Sequence, residues 1–189
     1  RLWITGYRIG DSEIIANDDH RIVAINNNGE VKYDWIAVSD NRLLMKATFN
    51  ISVPAGQKVL TWTAYDSNPI DTIPEQSNQF ADAVTQHVWN YDSSDTADKY
   101  IVVDFDYIKY DLSYHANGGS GKLPSSKNGI VYTDPVEIAA NGLARTGYTW
   151  SGCTNSLTTT VWMGGETVSS SDLGVDWCAD GSNVVLSAK

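Results

Sequence analysis

The sequence predicts a mainly β protein: a β-sandwich of Ig-like kind over residues 1–110, followed by a smaller β-rich module over residues 111–189. Three observations predict it. Apolar and polar residues alternate with period two, most clearly where Leu43, Met45, Ala47, Phe49, Ile51 and Val53 share one face and Lys46, Thr48, Asn50 and Ser52 the other. The alternating runs are separated by turn-forming clusters such as Asn26-Asn27-Asn28-Gly29, Pro54-Ala55-Gly56-Gln57 and Asn117-Gly118-Gly119. Among 189 residues, 42% are hydrophobic, enough for a core, and seven Trp and ten Tyr outnumber three Phe. Aromatics with a polar handle are at home in extracellular β modules.

Taken in order, residues 2–9 read as a first strand, 10–17 as a polar turn holding the pair Ile14-Ile15, and Asp18-Asp19-His20 as a charged loop tip. A strand over 21–25 leads through the Asn-rich turn into a returning strand over 31–38, with Val31, Tyr33 and Trp35 at alternate positions. Ser39-Asp40-Asn41 breaks the pattern. The strand over 43–53 then turns at Pro54-Ala55-Gly56-Gln57 and is expected to pair back with residues 58–65 as a hairpin. Residues 66–71 read as loop. Thr72 as cap, Glu75 three residues on, and Phe80, Val84 and Val88 at spacing four predict a short helix over 74–87. Residues 87–91 read equally well as a strand. After an acidic loop from Asp92 to Asp98, a long strand over 100–110 carries Ile101, Val103, Phe105 and Tyr107 on one face. The domain boundary is expected near residues 109–112, with one strand running directly on and no Pro- or Gly-rich linker.

In the carboxy-terminal part, residues 111–116 read as a short strand ending in the turn Asn117-Gly118-Gly119. Residues 122–129 are a polar loop, and 129–132, 136–140 and 161–163 are short strand candidates. Gly147 leads into an aromatic strand over 147–151, residues 164–174 are polar, and 184–188 form a β-branched last strand.

The formal net charge is −10. A surface of that sign repels phosphate backbones, which argues against nucleic-acid binding. No apolar run approaches the roughly 18 residues of a membrane-spanning helix, so no membrane insertion is expected. The chain opens on Arg1 and stops within a strand, so it reads as a section of a longer protein, and the lack of a leader carries no message.

Three blocks in the second half stand in a fixed order: Tyr114-His115-Ala116-Asn117-Gly118-Gly119, Arg145-Thr146-Gly147-Tyr148-Thr149-Trp150-Ser151-Gly152-Cys153, and the final strand Val184-Val185-Leu186-Ser187-Ala188. Together they resemble the Listeria–Bacteroides repeat, also called the internalin B-repeat, over about residues 112–189. Two departures are Cys153, where the family carries a tryptophan, and the absence of a final aromatic. The resemblance implies a small β-grasp-like module of bacterial surface proteins, with a short helix or turn over 137–143 and no catalytic residues. One copy is present.

Candidate chemistry is sparse. The clusters Asp18-Asp19-His20 and Asp92 to Asp98 carry ligands of the type Ca²⁺ takes, but match no calcium-loop spacing, and solvated loops are the simpler account. His20, His87 and His115 sit near no nucleophile elbow. Asp104 and Asp106 share one strand face, which provides no glycosidase cleft. Two cysteines, with no Cys-x-x-Cys spacing, make a zinc site improbable. In a secreted module a Cys153–Cys178 disulfide is expected, with Cys153 standing at a usually buried position; two buried thiols are the alternative. Trp3, Trp35, Trp62, Trp89, Trp150, Trp162 and Trp177 serve either as core or as a platform for stacking sugars.

These features lead to an expectation of a non-enzymatic, monomeric bacterial cell-surface or secreted fragment. It needs no cofactor, acts as a spacer or adhesive module, and meets protein or glycan at the extracellular face. The alternative is a carbohydrate-binding accessory region of a secreted glycan-active enzyme.

Overall fold

The computed structural model describes residues 1–26, 28–37, 46–74, 77–81, 83–90, 97–140 and 142–189. The described residues form strands, turns and one 3₁₀ turn, Asn17–Asp19. They group into two compact units, Arg1–Asp106 and Tyr107–Lys189.

The first unit contains β1 (Leu2–Ile9), β2 (Ile15–Ala16), β3 (Ile22–Ile25), β4 (Val31–Lys32), β5 (Trp35–Ile36), β6 (Lys46–Ile51), β7 (Gln57–Tyr65), β8 (Ser77–Ala81), β9 (Gln86–Asn90) and β10 (Lys99–Tyr107). One sheet has the order β2-β1-β10-β7-β8, with β5 also on β1; the other runs β4-β3-β6-β9. Both sheets feed one core. Leu2, Ile4 and Tyr7 of β1, Val103 and Phe105 of β10, and Trp62 of β7 cluster with Ile22 and Ala24 of β3 and Phe49 of β6.

The loose alternation of residues 2–9 has a cause. The register of β1 against the parallel strand β10 slips between Ile4 and Gly6. A bulge exchanges the faces, so Leu2 and Ile4 point inward before it and Tyr7 after it. Gly6 permits β2 to approach, since a Cβ there would lie 2.0 Å from the Ile15 carbonyl oxygen.

Three expectations for this unit are corrected. Strands β6 and β7 do not form a hairpin; they belong to different sheets. The Pro54-to-Gln57 turn, closed by Gln57 N–H donating to Pro54 O at 3.1 Å, carries the chain across the core instead. The returning strand over 31–38 is likewise divided. Its first part pairs with β3 and its second with β1, so Val31, Tyr33 and Trp35 face solvent rather than one core. The reason is the crossing at Tyr33-Asp34, where the buried Asn17 side chain donates to Tyr33 O at 3.1 Å and Ile4 N–H donates to Asp34 O at 2.7 Å. Residue 38 lies outside the described residues, as do 39–41 and 43–45 of the neighbouring expectations. The short helix over 74–87 is replaced by β8 and by β9, which pairs antiparallel with β6; residues 75, 76 and 82 lie outside the description. Pairing with β6 satisfies the β9 backbone better than an isolated short helix could, given the cost of helix nucleation.

The second unit contains β11 (Lys109–His115), β12 (Ser120–Gly121), β13 (Lys127–Val131), β14 (Val136–Glu137), β15 (Leu143–Ala144), β16 (Cys153–Thr154), β17 (Thr167–Val168) and β18 (Ser182–Ala188). Its main sheet has the order β13-β11-β18-β16. The central pair β11–β18 is parallel and its flanking partners are antiparallel. Two short ladders, β12–β15 and β14–β17, complete the unit. Tyr110 and Leu112 of β11, Val184 and Leu186 of β18, and Ile138, Trp162 and Leu173 from the connections form its core.

Here too the sequence misleads locally. Residues 147–151 are not a strand. Gly147 takes φ +80° in a turn where Tyr148 N–H donates to Arg145 O at 3.0 Å, and backbone bonding to the end of the chain resumes at Ser151, ahead of β16. The described part of 137–143 holds no helix, and residue 141 is outside the description. Residues 161–163 form only a single bridge, Trp162 to Cys153.

The Cys153–Cys178 disulfide is not formed; both cysteines are free. Cys153 is buried inside the second core, whereas Cys178 is exposed in a turn and its thiol donates to Asp176 Oδ1 at 3.0 Å. Burial fixes one sulfur inward and the local turn fixes the other outward.

Candidate functional site

The most developed surface feature of the first unit is a row of aromatic rings. Trp3 is paired in register with Trp35 on one neighbouring strand and with Tyr100 on the other. Leu2 and Ile4 point into the core, so Trp3 stands on the outer face of the sheet. The Trp3 and Tyr100 rings stack, with centroids 6.0 Å apart and planes 8° apart, and Trp3 meets Trp35 at 6.2 Å with a 46° tilt. Trp3 is half-buried and Trp35 is exposed. Trp3 Nε1–H donates to Asp98 Oδ2 at 3.0 Å, which fixes the indole and holds that carboxyl below the usual range. Arg1 lays its guanidinium over Trp35 at 4.6 Å.

Beside this row lies an open cleft of about 220 Å³. Trp3, Ile4, Thr5 and Tyr100 line it from the sheet, Asp18, His20, Tyr33 and Asp34 from the 3₁₀ turn and the β4–β5 crossing, and Asn68 and Ile70 from a loop. Asn17 braces one wall: its amide donates to Ile22 O at 2.8 Å while its oxygen accepts from Ile22 N–H at 2.8 Å. His20 holds a left-handed φ of +55°, and its ring packs against Tyr33 at 4.3 Å. An ion pair between Lys99 and Asp66 tethers the base of the opposite loop to β10. Aromatic faces, carboxylates, an imidazole and an amide thus converge on one concavity, the mixture that small-molecule sites use to orient a ligand.

The sequence candidates disperse. Of the Asp18-Asp19-His20 cluster, Asp18 and His20 line the cleft, but Asp19 is engaged elsewhere. It accepts from Tyr7 Oη at 2.9 Å and pairs with Arg21 at 3.6 Å. That contact and burial raise the Tyr7 pKa, burial contributing more. Of the loop from Asp92 to Asp98, residues 92–96 lie outside the description, and Asp98 serves Trp3. No group of His, Cys, Asp and Glu among the described residues is arranged to hold a metal ion. Asp104 accepts from Arg8 Nε at 2.7 Å and from Thr61 Oγ1 at 3.1 Å. This places it in a cross-strand polar group, and the hydrogen bond raises the Arg8 pKa. His87 lies on β9, where burial lowers its pKa, and His115 Nδ1 accepts from Asn117 N–H at 3.2 Å.

The tryptophans divide between the two roles open to them. Trp62 and Trp162 are buried, Trp89 and Trp150 pack against the two cores, Trp3 and Trp35 build the surface row, and Trp177 is exposed. The cleft itself went unread in the sequence. Its lining comes from segments far apart in the chain, and although Trp3, Asp18, His20 and Tyr33 each stood out in the sequence, nothing there brought them together. No helix among the described residues is long and apolar enough to cross a membrane.

Comparison with known proteins returns no match: no family model, no curated protein and no solved structure is similar to the chain.

Proposed function

We propose that the protein is a non-enzymatic binding module of a bacterial surface or secreted protein, and that its first unit takes glycan on the Trp35–Trp3–Tyr100 row and the adjoining cleft. The single observation that carries this reading is that row. Three rings clustered across neighbouring strands, Trp35 the most exposed, offer aromatic surface to the C–H faces of pyranose rings, and the polar groups of the cleft offer partners for hydroxyls. The motifs of residues 112–189 that resemble the internalin B-repeat support extracellular display, and the acidic charge favours solubility there. The same surface fits a carbohydrate-binding accessory region of a glycan-active enzyme. The reading frame surrounding this sequence separates the two readings, since a catalytic domain in the same chain favours the second.

The test is a glycan array followed by calorimetry with the 189-residue chain. Binding to at least one neutral glycan is expected, with a loss of about tenfold or more in Trp35→Ala, because stacking residues carry most of the energy of such contacts. Absence of any glycan bound at millimolar concentration, or unchanged binding by Trp35→Ala, would defeat the proposal.

A further inference from the structure

The second unit gathers the three sequence blocks of its motif at one place. Arg145 Nη1–H donates to Asn117 O at 3.3 Å, joining the second block to the first. Asn117 Nδ2–H donates to Ala188 O at 2.9 Å, joining the first to the last. Ser151 N–H donates to Lys189 O at 3.0 Å, closing the ring of contacts. Between them lies a groove of about 550 Å³, a volume that suits a ligand of several rings.

The charged side chains that line this groove are cationic, although the protein is acidic. Formal net charge is −10, and Arg8, Arg21, Lys32 and Lys99 each have a carboxylate partner. Arg145 and Lys189 both line the groove, and neither has an ion-pair partner among the described residues. No acidic side chain lines it among those residues. The Arg145 guanidinium lies over the Tyr148 ring at 4.1 Å, and among the described residues a single hydrogen bond occupies one of its donors. A guanidinium so placed presents its other N–H groups for bidentate pairing with a carboxylate. Tyr148 is 67% exposed, so ring surface is left open to a ligand. Trp150, Leu143 and Ala188 add apolar wall, and Asn117 and Thr149 add polar groups suited to hydroxyls.

We propose that this groove binds an anionic saccharide through its uronate carboxylate, with Arg145 and Lys189 meeting the charge and Tyr148 and Trp150 meeting the sugar ring. Aromatic faces beside amide and hydroxyl groups favour a ring-shaped polyol over an acidic peptide. The site is separate from the cleft of the first unit and stands without it.

The test is calorimetric titration of the 189-residue chain with tetragalacturonate, its neutral methyl ester, and a glutamate peptide of equal charge. Saturable binding of the uronate is expected, much weaker binding of the ester, and weakening with added salt. Arg145→Gln should reduce affinity by about tenfold or more, the scale of a lost charge-assisted pair, and Lys189→Gln and Tyr148→Ala by smaller factors. Circular dichroism of each variant checks folding, and the exposed Lys189 position keeps the test decisive if Arg145→Gln unfolds. Trp35→Ala should bind the uronate unchanged. The proposal is overturned if the uronate does not bind at millimolar concentration, or if ester or peptide binds as tightly. It is equally overturned if folded Arg145→Gln and Lys189→Gln bind like the parent, or if Trp35→Ala abolishes binding.

Discussion

Phe49 and Trp62 meet edge-on in the core of the first unit, their ring centroids 6.2 Å apart and their planes at 63°. The two residues lie on strands joined by one short turn, yet those strands sit in different sheets. The contact is therefore a sheet-to-sheet contact. Both side chains are fully buried, and Trp62 Nε1–H finds Val84 O at 2.8 Å. Phe49→Ala should cost about 3–5 kcal/mol through lost burial and the residual cavity, read from urea denaturation. A cost under about 1 kcal/mol would mean that the pair is not central to the core.

Gly6→Ala tests the bulge. A methyl group there would stand 2.0 Å from the Ile15 carbonyl oxygen, within backbone that cannot yield cheaply. A loss of about 1–3 kcal/mol is expected, with faster amide exchange at Tyr7 and Ala16, where β1 meets β2. Unchanged exchange would show that β2 does not approach so closely.

Tyr110 contributes to the loss of stability at high pH. It is fully buried, and its hydroxyl has no hydrogen-bond partner among the described residues. Burial pushes its pKa up to about 12 from the usual 10.0 of a tyrosine, with Asp134 adding to the rise. The folded state therefore favours the neutral phenol. Below pH 10 this costs nothing, because the unfolded chain is neutral too. Between about pH 10 and 12 the unfolded chain ionises first, and stability should fall by about 2–3 kcal/mol. Tyr110→Phe should lessen that fall and, by removing an unsatisfied hydroxyl, stabilise the fold at neutral pH by about 1 kcal/mol or more. A steeper alkaline loss in Tyr110→Phe would contradict this.

Thiol labelling tests the cysteines. Native protein should present one reactive thiol, Cys178, and denatured, unreduced protein two. The hydrogen bond to Asp176 raises the Cys178 pKa, and burial raises that of Cys153. Asp176→Asn should accelerate labelling of Cys178 near pH 8, because the thiolate is the reactive form. No titratable thiol in the denatured chain would restore the disulfide.

Local pattern in the chain is enough for the mainly β character, the extent of β1, the central positions of β6 and β10, and the last strand. In each, period-two alternation or β-branched content is local information that needs no partner. The turn residues were legible as well, since positive φ at Gly29, Gly56 and Gly118 is a property of the residue. Which strands share a sheet is settled by the packing of the whole unit. Alternation states that Ala47 and Phe49 are buried, but a hairpin and a crossing between sheets bury them equally well, and the same Pro54-to-Gln57 turn serves either. The division of residues 31–36 between two sheets depends on Asn17, and the helix-like spacing over 74–87 gave way to pairing with β6. The aromatic row was hidden for the same reason. Trp3, Trp35 and Tyr100 come together only through hydrogen-bond register between distant segments, and the bulge in β1 reverses faces within a single strand. Backbone pairing is chosen by the global burial of apolar surface, to which every strand contributes and which no local window contains.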